Sequence, residues 1–180
     1  MKVMEANSSI HLDSAKRVFA IEAQAVSALS EQIDNDFCKA IEHIIASKGR
    51  TIICGMGKSG IIGKKIAATF ASTGTPSFFM HPGEAYHGDL GMVTSEDTFI
   101  AISFSGETDE VVKLLPYLKD SGNFLVAITG NPASTLARAA DCHLNVSVKE
   151  EACPLQLAPT SSTTTTLAMG DALAVTLMKA

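Results

Sequence analysis

Short apolar runs along this chain alternate with longer stretches whose apolar residues recur at helical spacing, the pattern of βα units feeding a parallel sheet. The runs fall at 51–55 (Thr-Ile-Ile-Cys-Gly), 76–81 (Pro-Ser-Phe-Phe-Met-His), 98–103, 123–129 and 142–148. Between them the spacing predicts helices near 59–73, 108–120 and 133–140, and a last helix that follows the hydroxyl run Thr160–Thr166 and reaches about residue 179. Ahead of the first strand, Val18, Ile21, Ala25 and Leu29, then Phe37, Ile41, Ile44 and Ile45, mark helices over 12–30 and 34–47, with Gly49 expected as the C-terminal cap of the second. The expected fold is α/β: a three-layer α/β/α doubly wound sheet of five parallel strands, flavodoxin-like. Residues 1–48 form a helical lead-in and 49–180 the sheet domain, together one structural domain. Sheets of this kind bind ligands outside the carboxyl ends of their strands, where the strand order reverses.

Length and composition narrow the picture. A chain of 180 residues, 46% hydrophobic with 13 glycines and no tryptophan, has the composition of one globular domain rather than a disordered segment. Its formal net charge of -5 argues against nucleic acid or an anionic membrane as the main partner, so an anionic ligand has to be captured by a few oriented groups. Cys38, Cys54, Cys142 and Cys153 form no C-x-x-C pair and read as reduced thiols of a cytoplasmic protein, with Cys54 expected to be buried in a strand. Met1–Asp13 lacks the apolar segment of a signal peptide. The uncharged stretch 152–170 holds two prolines and seven consecutive hydroxyl residues, so no membrane span is expected.

The candidate chemistry gathers after the strands. Ser103-Phe104-Ser105-Gly106-Glu107-Thr108 joins the third apolar run to a helical pattern, and helix-start N–H groups with nearby hydroxyls suit a phosphate. A lone helix cap would account for one hydroxyl, not three. After the first strand, Gly55-Met56-Gly57-Lys58-Ser59-Gly60 fits G-x-G-x-x-G, but the acidic residue that a dinucleotide fold needs at the end of the second strand is replaced by His81. Position 52, where a P-loop needs glycine, is Ile52. Here the glycines either only permit a tight turn, with Lys58 solvated, or set Ser59 and Lys58 against a ligand.

After the second strand, His81, Glu84, His87 and Asp89 lie within nine residues of a glycine-rich loop, a concentration of proton-transfer groups. His81, Glu84 and His87 are also metal-ligand types, although their spacing matches no metal motif, and a polar surface loop is the plainer alternative. Glu150 and Glu151 follow the fifth strand, as a solvated pair or as site carboxylates. The run Thr160–Thr166 is oversupplied with donors for a linker and is expected to enter a helix facing the same pocket.

Taken in order, Gly55–Gly60, Ala68–Pro76 (Ala-Thr-Phe-Ala-Ser-Thr-Gly-Thr-Pro), His81-Pro82-Gly83-Glu84, His87-Gly88-Asp89-Leu90-Gly91, Ser103-x-Ser105-Gly106-Glu107, Glu151-Ala152-Cys153-Pro154-Leu155 and Ala158-Pro159-Thr160-Ser161 resemble the sugar-isomerase (SIS) domain of arabinose 5-phosphate isomerases, over nearly the whole chain from about residue 12. The resemblance implies the SIS fold and reversible conversion of D-ribulose 5-phosphate to D-arabinose 5-phosphate, the entry to 3-deoxy-octulosonate for lipopolysaccharide or capsule. It also implies a homotetramer with no required cofactor. Carried over by motif, the phosphate rests on Ser59, Ser103, Ser105, Gly106 and Thr108, with Gly74, Thr75, His81 and His87 among the substrate contacts. Lys58, Glu84, His87, Glu110 and Glu151 surround the sugar, and His81 corresponds to a position of inhibitory zinc. Longer members continue into a Ser-His-Pro-Gly-Gly segment, whose histidine is counted among the catalytic groups, and then into paired CBS modules. This sequence stops at Ala180, which implies impaired turnover and no CBS-linked regulation.

Aldose–ketose isomerisation moves a proton between C1 and C2 through an enediol, so it needs a base at carbon and an electrophile at the oxygens. Glu151 or Glu110 suits the first role, and Lys58 or His87 the second. Two other classes remain: a non-catalytic phosphosugar sensor, which would need only the phosphate site, and a nucleotide-dependent oxidoreductase, which lacks its acidic residue.

Overall fold

A computed structural model describes the backbone over residues 2–180 and the side chains from Ser9 onward. Met1 and the side chains of residues 2–8, part of the stretch read above as lacking a signal peptide, lie outside the described residues. The elements run α1 (Lys2–Gln32), α2 (Asn35–Ala46), β1 (Thr51–Gly55), α3 (Gly57–Ser72), β2 (Ser77–Met80), α4 (Pro82–Tyr86), β3 (Thr98–Ile102), α5 (Asp109–Val112), α6 (Leu115–Asp120), β4 (Phe124–Thr129), α7 (Thr135–Ala139), β5 (Cys142–Asn145) and α8 (Ser161–Leu177). Among the described residues no helix is long and apolar enough to cross a membrane.

The five strands form one parallel sheet in the order β2-β1-β3-β4-β5. Every residue of β1 and β3 is buried, as continuous apolar strands covered on both faces require. Alternate residues divide between two cores. Ile53, Ile100, Ile102, Val126, Ile128 and Leu144 pack with Phe37 and Ile41 of α2, Ile66 and Phe70 of α3, and Met169 and Leu173 of α8, with Leu29 of α1 joining them. Ile52, Cys54, Phe99, Ala101, Leu125 and Ala127 face the other way, onto Ala85, Val111, Leu114, Leu118 and Leu136 from α4 to α7. The helical lead-in is thus part of the main core. Asp34 starts α2 by accepting from the Asp36 N–H, and Asp36 Oδ2 takes the His143 N–H at 2.8 Å, fastening α2 to β5.

Local differences from the expected elements have local causes. The helix expected over 108–120 is two, because Pro116 at the start of α6 has no N–H to continue the ladder. The loop expected after β2 contains α4, with Pro82 in its first turn and His81 Nδ1 accepting the Gly83 N–H as cap, followed by a 3₁₀ turn over Asp89–Met92. Gly49 is not a helix cap: α2 ends at Ala46 with Ser47 as its C-terminal cap, and a side chain at position 49 would meet the Glu96 carbonyl at 2.3 Å. The last helix does not follow the hydroxyl run but contains most of it. Thr163, Thr165 and Thr166 return their hydroxyls to carbonyls three or four residues back (2.8, 3.1 and 2.8 Å), so they cost the helix no unpaired polar group.

At the amino edge of the sheet, Asp97 is 1% exposed and accepts the Arg50 N–H (2.7 Å), the Arg50 guanidinium (3.0 and 3.2 Å) and the Thr94 N–H (2.8 Å). Burial pushes its carboxyl up, yet these bonds outweigh burial and hold the pKa at about 2. A pKa lowered on folding contributes stability above the unfolded value near ~3.9 that is lost as pH falls toward 2. Asp97→Asn is therefore expected to cost about 2 kcal/mol at pH 7 and progressively less between pH 4 and pH 2. Urea unfolding midpoints across that range measure it; a deficit that does not shrink on acidification would disprove the linkage.

Candidate active site

Strand order places the site. From β1 the chain crosses by α3 to β2 on one side, and from β3 it crosses by α5 and α6 to β4 on the other, so the loops after β1 and β3 diverge and leave a crevice. A cleft of about 480 Å³ lies there, lined by Met56, Lys58, Ser59 and Ile62 from the β1–α3 turn, Phe104 after β3, Glu151, Gln156, Leu157 and Pro159 after β5, and Ser162, Thr163 and Thr166 of α8. A larger hollow of about 860 Å³ at the amino ends of β4 and β5 holds none of the expected catalytic residues; chemistry rather than size selects the cleft.

Two helix starts converge on it. Helix α3 begins after Met56 without a side-chain cap, so its first N–H groups, with Lys58 and Ser59 among them, present the positive helix end to the cleft. Gly60 serves packing, since a Cβ there would lie 2.5 Å from the Gly55 carbonyl. The glycines of this loop therefore build the turn while Lys58 and Ser59 line the cleft. Helix α8 begins at the opposite wall, and Glu151 caps it: Oε2 accepts the N–H of Thr160 (2.7 Å) and of Ser162 (3.2 Å) and the Thr160 hydroxyl (2.9 Å). Burial raises the Glu151 carboxyl, but the bonds from Ser162 and Thr160 prevail and hold it below the ordinary carboxylate range, so it is an anion at neutral pH.

The Ser103–Thr108 turn is braced from within. Ser103 is buried, its hydroxyl 2.8 Å from that of Thr108 and accepting the Gly106 N–H at 3.1 Å. Gly106 has φ +69, its N–H also reaches the Ser103 carbonyl, and its own carbonyl takes the Leu136 N–H at 3.1 Å. Glu107 Oε1 accepts the Thr135 N–H at 2.7 Å, and that bond holds its carboxyl below the usual range. Thr108 makes no cap bond to α5, which rules out the plain capping role. Of the three hydroxyls expected to be free donors, Ser103 is committed to the brace, while Ser105 stays exposed, accepting the Glu107 N–H at 3.2 Å.

The remaining expected residues fall elsewhere. His81, Glu84 and His87 lie on and around α4, which packs against α5, the helix that carries Glu110; all four stand at the same carboxyl edge but outside the cleft lining. Gly74 and Thr75 precede β2 rather than follow a strand, and line a separate hollow of about 570 Å³ with Arg50 and Phe78. Among the described residues no group of three His, Cys, Asp or Glu is placed to hold a metal, and His81 Nδ1 is already engaged as a cap. Sequence reasoning missed Phe104 and Gln156: nothing local marks a glutamine in a loop, whereas the hydroxyl run did announce Ser162, Thr163 and Thr166. Cys54 is buried in β1 as expected, its thiol pushed up to about 12 by burial.

The SIS domain family model matches residues 44–176. The chain belongs to the SIS domain family. Arabinose 5-phosphate isomerase KdsD of Pseudomonas aeruginosa is 57% identical over 177 residues, 97% of this chain and 54% of that protein. KdsD of Escherichia coli K12 is 60% identical over 167 residues, 93% of this chain and 51% of that protein. This SIS domain chain spans about half the length of the curated relatives it matches. Among solved structures, an Escherichia coli CFT073 protein in complex with arabinose 5-phosphate superposes with a TM-score of 0.90 at 45% identity, covering 96% of this chain and 91% of that one.

Proposed function

We propose that this SIS domain is an aldose–ketose isomerase interconverting D-ribulose 5-phosphate and D-arabinose 5-phosphate through an enediol. The observation that carries the reading is the convergence of Lys58 and Ser59 at the uncapped start of α3 with the ionised Glu151 at the start of α8, across one cleft beyond the sheet's carboxyl edge. The names of the KdsD relatives and the arabinose 5-phosphate complex of the Escherichia coli protein support it.

In this reading the uncapped α3 start, Ser59 and the accessible hydroxyls of the Ser103–Thr108 turn hold the phosphate, the unreactive end of the sugar. Glu151 takes the carbon-bound proton, and the Lys58 cation stabilises charge as it develops on the neighbouring oxygen. Glu84, His87 and Glu110 form a second set of proton-transfer groups at the same edge. Aldose and ketose stand at one oxidation level, so the conversion calls for no redox cofactor. A zinc ion at His81 fits poorly as a participant, since one ring nitrogen is occupied and no second and third ligand stand beside it among the described residues. The assembly that goes with this reading is a homotetramer.

A coupled assay on the 180-residue chain with ribulose 5-phosphate is the test. Turnover to arabinose 5-phosphate is expected. Saturable phosphosugar binding without turnover would replace the reading with a sensor, and binding of NAD(P) with an oxidoreductase.

A further inference from the structure

Glu151 is held asymmetrically. Among the described residues, every hydrogen bond to its carboxylate falls on Oε2, and Oε1 receives none. The backbone beneath it is clipped as well: Gln156 Oε1 accepts the Glu151 N–H at 2.8 Å, while Gln156 Nε2 donates to the carbonyls of Glu151 (2.8 Å) and Cys153 (3.1 Å). Gln156 adopts φ +54 to do so, an unfavourable conformation for a residue with a Cβ. With its main chain fixed, the direction of the Glu151 side chain is decided by what grips Oε2.

The Ser162 hydroxyl stands close enough to lower this carboxyl as well, but among the described residues Thr160 makes the one direct side-chain hydrogen bond to Oε2, and its hydroxyl has no freedom of role. The Ala152 N–H reaches Thr160 Oγ1 at 2.8 Å and can only donate, and the carboxylate at 2.9 Å can only accept. The single hydroxyl proton must therefore point at Glu151, in a chain of amide, hydroxyl and carboxylate whose dipoles reinforce one another. We infer that Thr160 is a positioning residue for the isomerisation: its hydroxyl, aligned by the Ala152 amide, anchors one oxygen of Glu151 and leaves the other for the substrate. This inference rests on the isomerase reading for its catalytic meaning. The lowered carboxyl of Glu151, with the bonds from Ser162 and Thr160 outweighing burial, is consistent with the grip.

Other groups that bear on Glu151 are the Ser162 hydroxyl of α8, Lys58 from α3, Glu22 of α1, which accepts from the Thr164 hydroxyl at 3.1 Å, and Lys149, Glu150 and Cys153 in its own loop; the first turn of α8 carries no acid. None of them changes when Thr160→Val removes the hydroxyl and keeps the side chain's shape and backbone N–H. Carbon-13 NMR titration of the glutamate carboxyls, with Glu151→Gln supplying the assignment, is expected to show the Glu151 pKa rising by roughly one unit in Thr160→Val and returning in Thr160→Ser. A carboxyl easier to protonate moves the acid limb of the kcat/KM profile to higher pH by the same amount, and kcat falls more than KM rises.

An unmoved Glu151 titration in a folded Thr160→Val variant overturns the inference outright. So does a moved titration with an unmoved acid limb, because the grip would then be structural only. Absence of turnover in the unsubstituted chain would instead strike the isomerase reading, and the titration would still decide whether Thr160 governs the carboxylate.

Discussion

Glu151→Gln is expected to lower kcat for ribulose 5-phosphate by about 10²–10⁴-fold, the contribution typical of a positioned general base, while phosphosugar binding survives. Glutamine keeps the length of the side chain and an oxygen that can accept the Thr160 and Ser162 N–H groups, so α8 retains its cap. What is lost is the basic oxygen left facing the cleft. The same substitution at Glu110 is the comparison, since that residue lies on α5 outside the cleft lining. Steady-state kinetics and calorimetric phosphosugar binding on both variants separate chemistry from affinity. Unchanged turnover in Glu151→Gln with a large loss in Glu110→Gln would move the base to α5, and unchanged turnover in both would remove the assignment altogether.

The largest structural effect is expected at the phosphate turn. A Cβ on Gly106 would lie 2.0 Å from Ser134 Oγ and 2.3 Å from Ser134 Cβ, at φ +69. Ser134 cannot retreat, because it is fully buried and its hydroxyl caps α7 by accepting the Ala137 N–H at 3.2 Å. Gly106→Ala thus combines a left-handed backbone cost of about 1–2 kcal/mol with an overpacking cost of about 1–3 kcal/mol, a total of about 2–5 kcal/mol and a Tm lower by roughly 10 °C. Phosphosugar affinity should fall with it, as the turn loses its shape. Gly122→Ala isolates the backbone cost, since position 122 shares a positive φ of 73 with open space around it. Equal destabilisation by the two substitutions would show that the Ser134 contact decides nothing.

Much of this architecture was legible because its signals are local. The runs at 51–55, 98–103 and 123–129 became β1, β3 and β4 with shifts of a residue at most, since continuous apolar stretches bounded by glycine and polar residues have few other ways to be buried. Where a local signal had two solutions, the reading failed. Threonines disfavour a helix interior unless their hydroxyls return to the preceding turn, and packing against the core makes them do so in α8. The glycine-rich stretch after β2 looked like an open loop, yet Pro82 and a His81 cap close one turn of helix within it.

The sequence by itself determined the parallel sheet, the side of the sheet on which ligand-binding loops gather, and the residue types available there, because apolar periodicity and turn chemistry are written within a few residues. The tertiary structure alone decided which of those residues meet. Lys58 and Glu151 are joined at one cleft by the docking of α8 against α3, where position 170 tolerates only glycine beside Ile66. Glu110 and His87 are carried to another part of the edge by α5 and α4 on the opposite face. That partition depends on contacts between elements distant along the chain, for which no short motif carries a code.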